Sequence, residues 1–310
     1  MTTGGFVPER ARGATPAGRG SLLAALDLES IETGMFRGRT GRPMAPTYGG
    51  EVACQALLAA GTTVAAERHP HSLHAYFLRR GDPTCPVLYQ VEQVHDGGSS
   101  SARSVVALQH GAPILVLNAS FHVPEIGLAH QEPGLDVPLP EQLPPAAATV
   151  AGSDAEQRDW FASISARFPL ELRFHDELPR SATSGGELVP PRQRFWLRAC
   201  EPLPDDPLRQ ACALTYASDL FLLSSAPPPH GLTVGRHGRQ YASLDHSIWF
   251  HAPFRADTWL HMTQESPWAG GARALYRGQV HDRTGRLVAS VAHEGLVRVR
   301  EHPRSGGCGM

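Results

Sequence analysis

The chain has 310 residues, 41% of them apolar and 19% charged, with a formal net charge of −2. That is enough chain for one large or two ordinary domains with a substantial core, and the charge balance is too even to recruit nucleic acid or a membrane surface. Every basic residue is arginine, which excludes a lysine Schiff base and a P-loop lysine.

The five cysteines, Cys54, Cys85, Cys200, Cys212 and Cys308, are scattered, odd in number and form no CxxC pair. This argues against a disulfide framework and against a zinc site, and points to a reducing compartment. The first residues show no apolar signal region, no apolar run reaches transmembrane length, and the ending SGGCGM is not a peroxisomal address. The expectation is a soluble cytoplasmic protein, with no nucleic-acid partner and no membrane insertion.

In chain order, residues 1–20 are rich in Gly, Pro and Arg and read as disordered. Residues 21–30 read as a short helix with Leu22, Leu23 and Leu26 on one face, and 35–39 as a short strand before the break at Gly41-Arg42-Pro43. Residues 48–66 read as a buried helix whose Val52, Ala56, Ala59 and Ala60 recur at helical spacing. Gly49 and Gly50 at its start allow close approach of backbone N–H groups to a ligand oxygen, and Gln55 is a polar residue inside it. Strands follow at 73–78, 86–94, 101–109 and 113–123, separated by the turns at 96–98 and 110–112. Residues 131–165 are Pro and Ala-rich and read as a linker holding one short helix at 154–165, with strands at 170–174 and 194–198 beyond it. Residues 206–223 read as a second buried helix carrying one acid, Asp219, among apolar residues. An acid so placed must be paired, hydrogen-bonded or raised in pKa.

The stretch 241–254, YASLDHSIWFHAPF, alternates Ser243, Asp245 and Ser247 with Leu244, His246 and Ile248, the period of a strand. Trp249 and Phe250 break the alternation and suggest burial on both faces. A second meander runs through 259–265, 272–281 and 287–300. The halves overlay at an offset of roughly 170 to 174 residues: His74 falls on His246, and His122 on His293. The pattern is a helix plus an antiparallel sheet used twice, an α+β class in which two sheets can close into one around buried helices.

The residues 71–82 (HSLHAYFLRRGD), 96–97, 101–103, 216–220 (YASDL), 245–251 (DHSIWFH) and 294–298 (EGLVR), in this order, resemble acyl-CoA thioesterase II, the TesB-like family. The resemblance implies a double hotdog, with one module over 21–130, the linker over 131–165, a second module over 166–300 and a flexible tail over 301–310. It also implies hydrolysis of acyl-CoA thioesters without metal or redox cofactor, and a homo-oligomer, dimer or tetramer. The family site joins an Asp, a Thr or Ser and a Gln around a water. These roles fall on Asp219, Ser243 and His293, the last a departure because Gln is expected there. Gly49, Gly50 and Gln55 are candidates for substrate binding. His293 in the Gln role would add a pH dependence near its own titration. Asp245, His246, His251 and His122 read as structural. Two other functions fit the motifs: a non-hydrolytic acyl-thioester binding protein, and a hydrolase of carrier-protein-bound acyl intermediates. A dehydratase or hydratase is disfavoured, because no His-x-x-x-Gly-x-x-x-x-Pro arrangement occurs and His230 does not complete one.

Overall fold

The structure, a computed structural model, describes residues 21–39, 47–132, 134, 137–151, 155–175, 190–230 and 239–299. The readings for residues 1–20 and 301–310, for Gly41-Arg42-Pro43 and for Cys308 lie outside them.

The first half begins with α1 (Leu22–Ala25), β1 (Leu28–Glu32) and β2 (Met35–Gly38). The helix expected over 21–30 stops after one turn. Ser21 accepts a hydrogen bond from Ala24 N, and the chain then enters the hairpin that turns at Gly34, φ +74°. Next come α2 (Gly49–Thr62), β3 (His69–Phe77), β4 (Val87–Asp96), β5 (Ser100–Gln109) and β6 (Ala112–His122). The stretch expected as a linker carries α3 (Ala146–Ala151) and most of α4 (Ala155–Arg167). These pack on the second half through Phe161 against Phe174 and Trp160 against Phe221, with ring centroids 6.5 and 5.9 Å apart.

The second half contains β7 (Leu170–Phe174), β8 (Arg192–Ala199), α5 (Pro207–Ser218), β9 (Arg239–Ser243), β10 (Asp245–Phe250), β11 (Leu260–Gly270), β12 (Arg273–Asp282) and β13 (Leu287–Val299). Among the described residues all strands join one sheet, in the order β1-β2-β4-β5-β6-β3-β10-β13-β12-β11-β8-β7, with β9 also on β13. The seam between the halves is the antiparallel pair β3–β10, where Leu73 faces Ile248 and both are fully buried. This is the double hotdog: two helix-and-sheet modules sharing one continuous sheet.

The two central helices, α2 and α5, run antiparallel against each other. A side chain at Gly50 would lie 2.7 Å from Tyr216 O, and one at Gly61 would lie 2.4 Å from Leu208, so the start of α2 meets the end of α5 and vice versa. Glycine at both points is what permits this spacing. Tyr48 Oη donates to Tyr216 O at 2.8 Å, locking the junction. At the far end of α2, the buried Arg103 bonds Thr63 Oγ1 (2.8 Å) and the Asp96 carboxylate (2.9 Å).

The strand register corrects the overlay of the halves. His74 is exposed while His246 is fully buried, so these two do not share a face. His122 and His293 differ in the same way, one partly exposed and one buried. A slip of one residue moves a side chain to the opposite face of a sheet, and an approximate repeat with short gaps cannot fix the register to one residue. Trp249 also departs from expectation. It points outward, 38% exposed, with its ring 5.2 Å from that of His74.

Candidate active site

Asp219 is the residue that closes the C-terminal end of α5. Its side chain is only 7% exposed. The hydrogen bond it accepts comes from across the helix junction, from Gly50 N to Oδ2 at 2.9 Å. This is one of the first backbone N–H groups of α2, which have no acceptor within the helix. A helix C-terminus does nothing to favour an anion. Desolvation raises the Asp219 carboxyl to a pKa of about 6, and the Gly50 N–H only partly opposes this.

Two histidines lie behind the carboxylate. One residue beyond the Ser247–Ala292 pair of β10 and β13, His246 and His293 both point inward and are fully buried. His293 Nδ1 lies 3.8 Å from Asp219 Oδ1 and 3.2 Å from His246 Nδ1. His246 Nε2 is 2.9 Å from Ser218 Oγ, the residue before Asp219. Burial lowers His246 to about 4, and burial with His246 alongside holds His293 well below 6.5. Both rings are therefore neutral near pH 7, and the Asp219–His293 contact is not an ion pair.

The donors assign the tautomers. Ser218 Oγ donates to Thr215 O at 3.2 Å, so it accepts from His246 Nε2–H. His246 Nδ1 is then an acceptor, and His293 Nδ1–H donates to it. That leaves His293 Nε2 with a lone pair, and this atom is buried without a partner among the described residues.

The carboxylate sits beside a cavity of about 840 Å³ whose wall includes Gly49, Phe77, Ser243, Leu244 and Leu296. A side chain at Gly49 would come within 3.0 Å of Asp219 Oδ2 and 2.9 Å of the Phe77 ring, so this wall is thin by necessity. Ser243 lies opposite Gly295 on β13. The structure thus brings Asp219, His293, Gly49 and Gly50 together, with Ser243 on the adjoining wall.

Gln55 stands apart from this group. Its amide nitrogen donates to Arg39 O at 2.9 Å, and its oxygen accepts from Tyr89 Oη at 2.8 Å. Both ends are occupied by the protein, and the side chain packs inside the first module and does not line the cavity. Burial places the titration of His293 below that of an ordinary histidine. His246 and Ser218 belong to the constellation and were not singled out as site residues. The signal for His246 was its place on the apolar side of an alternating strand, where an imidazole needs a partner.

A fused pair of hotdog modules with a desolvated carboxylate at the junction of its central helices defines a thioesterase-type double hotdog. A protein of Alicyclobacillus acidocaldarius described as having a hotdog fold superimposes with a TM-score of 0.70 at 18% identity, over 90% of this chain and 98% of that one. Residues 148–296 match the family model for acyl-CoA thioesterase, and residues 40–122 match that for the acyl-CoA thioesterase N-terminal domain. The chain is 39% identical to acyl-coenzyme A thioesterase 8 of Homo sapiens over 93% of each chain. It is 34% identical to acyl-CoA thioesterase 2 of Haemophilus influenzae, over 91% of this chain and 98% of that one. The solved structure of acyl-CoA thioesterase II TesB2 from Mycobacterium marinum aligns with a TM-score of 0.74 at 39% identity, over 91% of this chain and 99% of that one. The chain belongs to the acyl-CoA thioesterase family.

Proposed function

We propose that this enzyme hydrolyses acyl-CoA thioesters to a carboxylic acid and CoA, with Asp219 as the general base. The observation that carries the mechanism is the desolvated Asp219 carboxylate, raised to about 6, directly behind Gly49 of the cavity wall. A base near neutral pKa is matched to taking a proton from water at physiological pH. The water is held between Asp219, Ser243 and His293, in the places that the family gives to Asp, Thr or Ser, and Gln. It attacks the thioester carbonyl carbon, its proton passes to Asp219, and the C–S bond breaks as the thiolate leaves. Negative charge on the carbonyl oxygen meets the backbone N–H of Gly49, the first residue of α2. Gly50 N–H is committed to Asp219 and acts by holding the base in place. Arg79 and Arg80 also line the cavity and suit the phosphates of CoA.

The test is thioester hydrolysis over a panel of short, medium and long acyl-CoAs, comparing wild type with Asp219→Asn and His293→Gln. Asp219→Asn is expected to lower kcat by roughly 10²–10⁴-fold, the range for loss of a general base. Equal turnover in Asp219→Asn would overturn the assignment. Absence of turnover in wild type, with activity appearing in His293→Gln, would favour the binding-protein reading, which the departure at 293 motivates. Turnover of a carrier-protein thioester alone would favour the carrier-bound substrate.

A further inference from the structure

Asp219, His246 and His293 place one ligand atom each within 4.8 Å of one another. The Nδ1 atoms of the two histidines are 3.2 Å apart, and His293 Nδ1 is 3.8 Å from Asp219 Oδ1. Tetrahedral zinc, with bonds of about 2.0–2.2 Å to nitrogen and oxygen, sets its ligand atoms about 3.3–3.6 Å apart. Two edges of this triangle, 3.2 and 3.8 Å, therefore bracket the required spacing, and the third, at no more than 4.8 Å, closes to it by a small side-chain shift. Buried charges are paired or coordinate metals. Among the described residues no arginine pairs with Asp219; its neighbours are a backbone N–H and an imidazole. The outer support a metal ligand needs is also present, since His246 Nε2–H is held by Ser218 Oγ at 2.9 Å, leaving Nδ1 facing the group.

We propose that Asp219, His246 and His293 form a binding site for Zn²⁺, and that zinc bound there inhibits the enzyme by occupying its base. His246 already presents the Nδ1 lone pair. His293 moves its ring proton from Nδ1 to Nε2, an atom with no protein hydrogen-bond partner among the described residues, so neither histidine loses a proton to the solvent. The Asp219 carboxylate becomes the third ligand and no longer receives a proton from water. Gln at 293, the residue of the family pattern, offers no imidazole, so the site follows from the departure. Cysteine spacing excludes only a thiolate zinc site, and a His–His–Asp group needs no cysteine.

A second group, Asp82, Cys85 and His110, also gathers ligand atoms. There, Asp82 is already engaged by Thr84 and by His110, and its side chain and that of His110 are 38% and 63% exposed. It serves as the control.

The experiment is zinc titration of the chelator-stripped protein against a chromophoric chelator, with Co²⁺ absorption as a direct report of coordination. Activity is followed through thioester absorbance, because the thiol product itself sequesters zinc. Wild type is expected to bind Zn²⁺ at this site, to lose activity as it fills, and to recover with EDTA. His246→Gln and His293→Gln lose at least about 100-fold in affinity, and Ser218→Ala loses about 10–100-fold, as removing outer support does elsewhere. Cys85→Ser keeps the inhibitory site. Circular dichroism of each variant separates loss of ligand from loss of fold. Zinc affinity unchanged in both histidine variants, inhibition abolished by Cys85→Ser, or no binding by folded wild type overturns the proposal. Binding is read without turnover, so failure of the thioesterase mechanism and failure of the zinc site give different results.

Discussion

At the scale of the residue, Asp219 makes opposite demands on activity and stability. Its carboxyl sits at about 6 in the folded protein, against the ordinary 3.8. Well below 3.8, at about pH 3 and lower, the group is protonated in both folded and unfolded chains and is neutral towards folding. Between about pH 4 and pH 6 the unfolded chain ionises while the folded state holds its proton, so stability falls across this window and levels off above 6. The shift corresponds to at most about 3 kcal/mol above pH 6. Asp219→Asn keeps an acceptor for Gly50 N–H and removes the charge. It is expected to raise the melting temperature at pH 8 and to change it little at pH 3, while lowering kcat by roughly 10²–10⁴-fold. A lower melting temperature at pH 8 would mean that the carboxylate is better compensated than its surroundings indicate. The same shift sets the pH profile. With a chelator present, turnover should rise with pH around a midpoint of about 6, as the base ionises. His293 stays neutral across this range, so His293→Gln should change the height of the profile and leave the midpoint in place. A midpoint that moves with His293 would transfer the titration to the imidazole. The sequence points to Asp219 because it lies within the motif 216–220, and to His293 because it immediately precedes the motif 294–298. The hydrogen-bonded chain from Ser218 through His246 to His293 was not legible, since its members are 28 and 47 residues apart and meet only when β10 pairs with β13.

At the scale of the element, the junction of α2 and α5 is what assembles the site. Gly50 supplies the N–H for Asp219 and the space for Tyr216 O, which would be 2.7 Å from any added Cβ. Gly50→Ala must therefore push the helices apart. Overpacking of this kind costs about 1–3 kcal/mol, and the separation lengthens the bond that holds the base. A lower melting temperature with a lower kcat is expected, and native kcat in a destabilised Gly50→Ala protein would show that the bond does not position Asp219. The helices and most strands were legible because each has its own period: small residues at helical spacing in α2, and in β5 inward positions that alternate from Ser101 to Gln109. The N-terminal element was misread for a local reason. Leu22, Leu23 and Leu26 satisfy a helical pattern, yet the Glu201 carboxylate, far along the chain, bonds Leu22 N and Leu23 N at 2.6 and 3.2 Å and anchors only one turn. No window of sequence contains that partner.

At the scale of the whole molecule, neither module has a complete surface of its own. The first leaves β3 as a sheet edge unless β10 pairs with it, and leaves the α5-facing side of α2 uncovered, including Gly50 and Gly61. The second leaves β10 and the α2-facing side of α5 in the same state. Unpaired apolar edges of this length associate with one another. The base and the backbone groups around it are divided too, with Asp219 on one module and Gly49 and Gly50 on the other. The approximate repeat made this two-module plan visible in the sequence, whereas the register that seats Leu73 against Ile248 depends on inter-strand pairing that the repeat does not specify. The two modules should therefore unfold as one unit. A chain cut within the connecting stretch, producing residues 1–135 alone, is expected to aggregate or to lack a cooperative thermal transition. Co-expressed with residues 136–310 it should recover both a cooperative transition and turnover. Cooperative, monomeric unfolding of the isolated first half would mean that the seam joins two finished domains, and that the site is assembled by docking after each has folded.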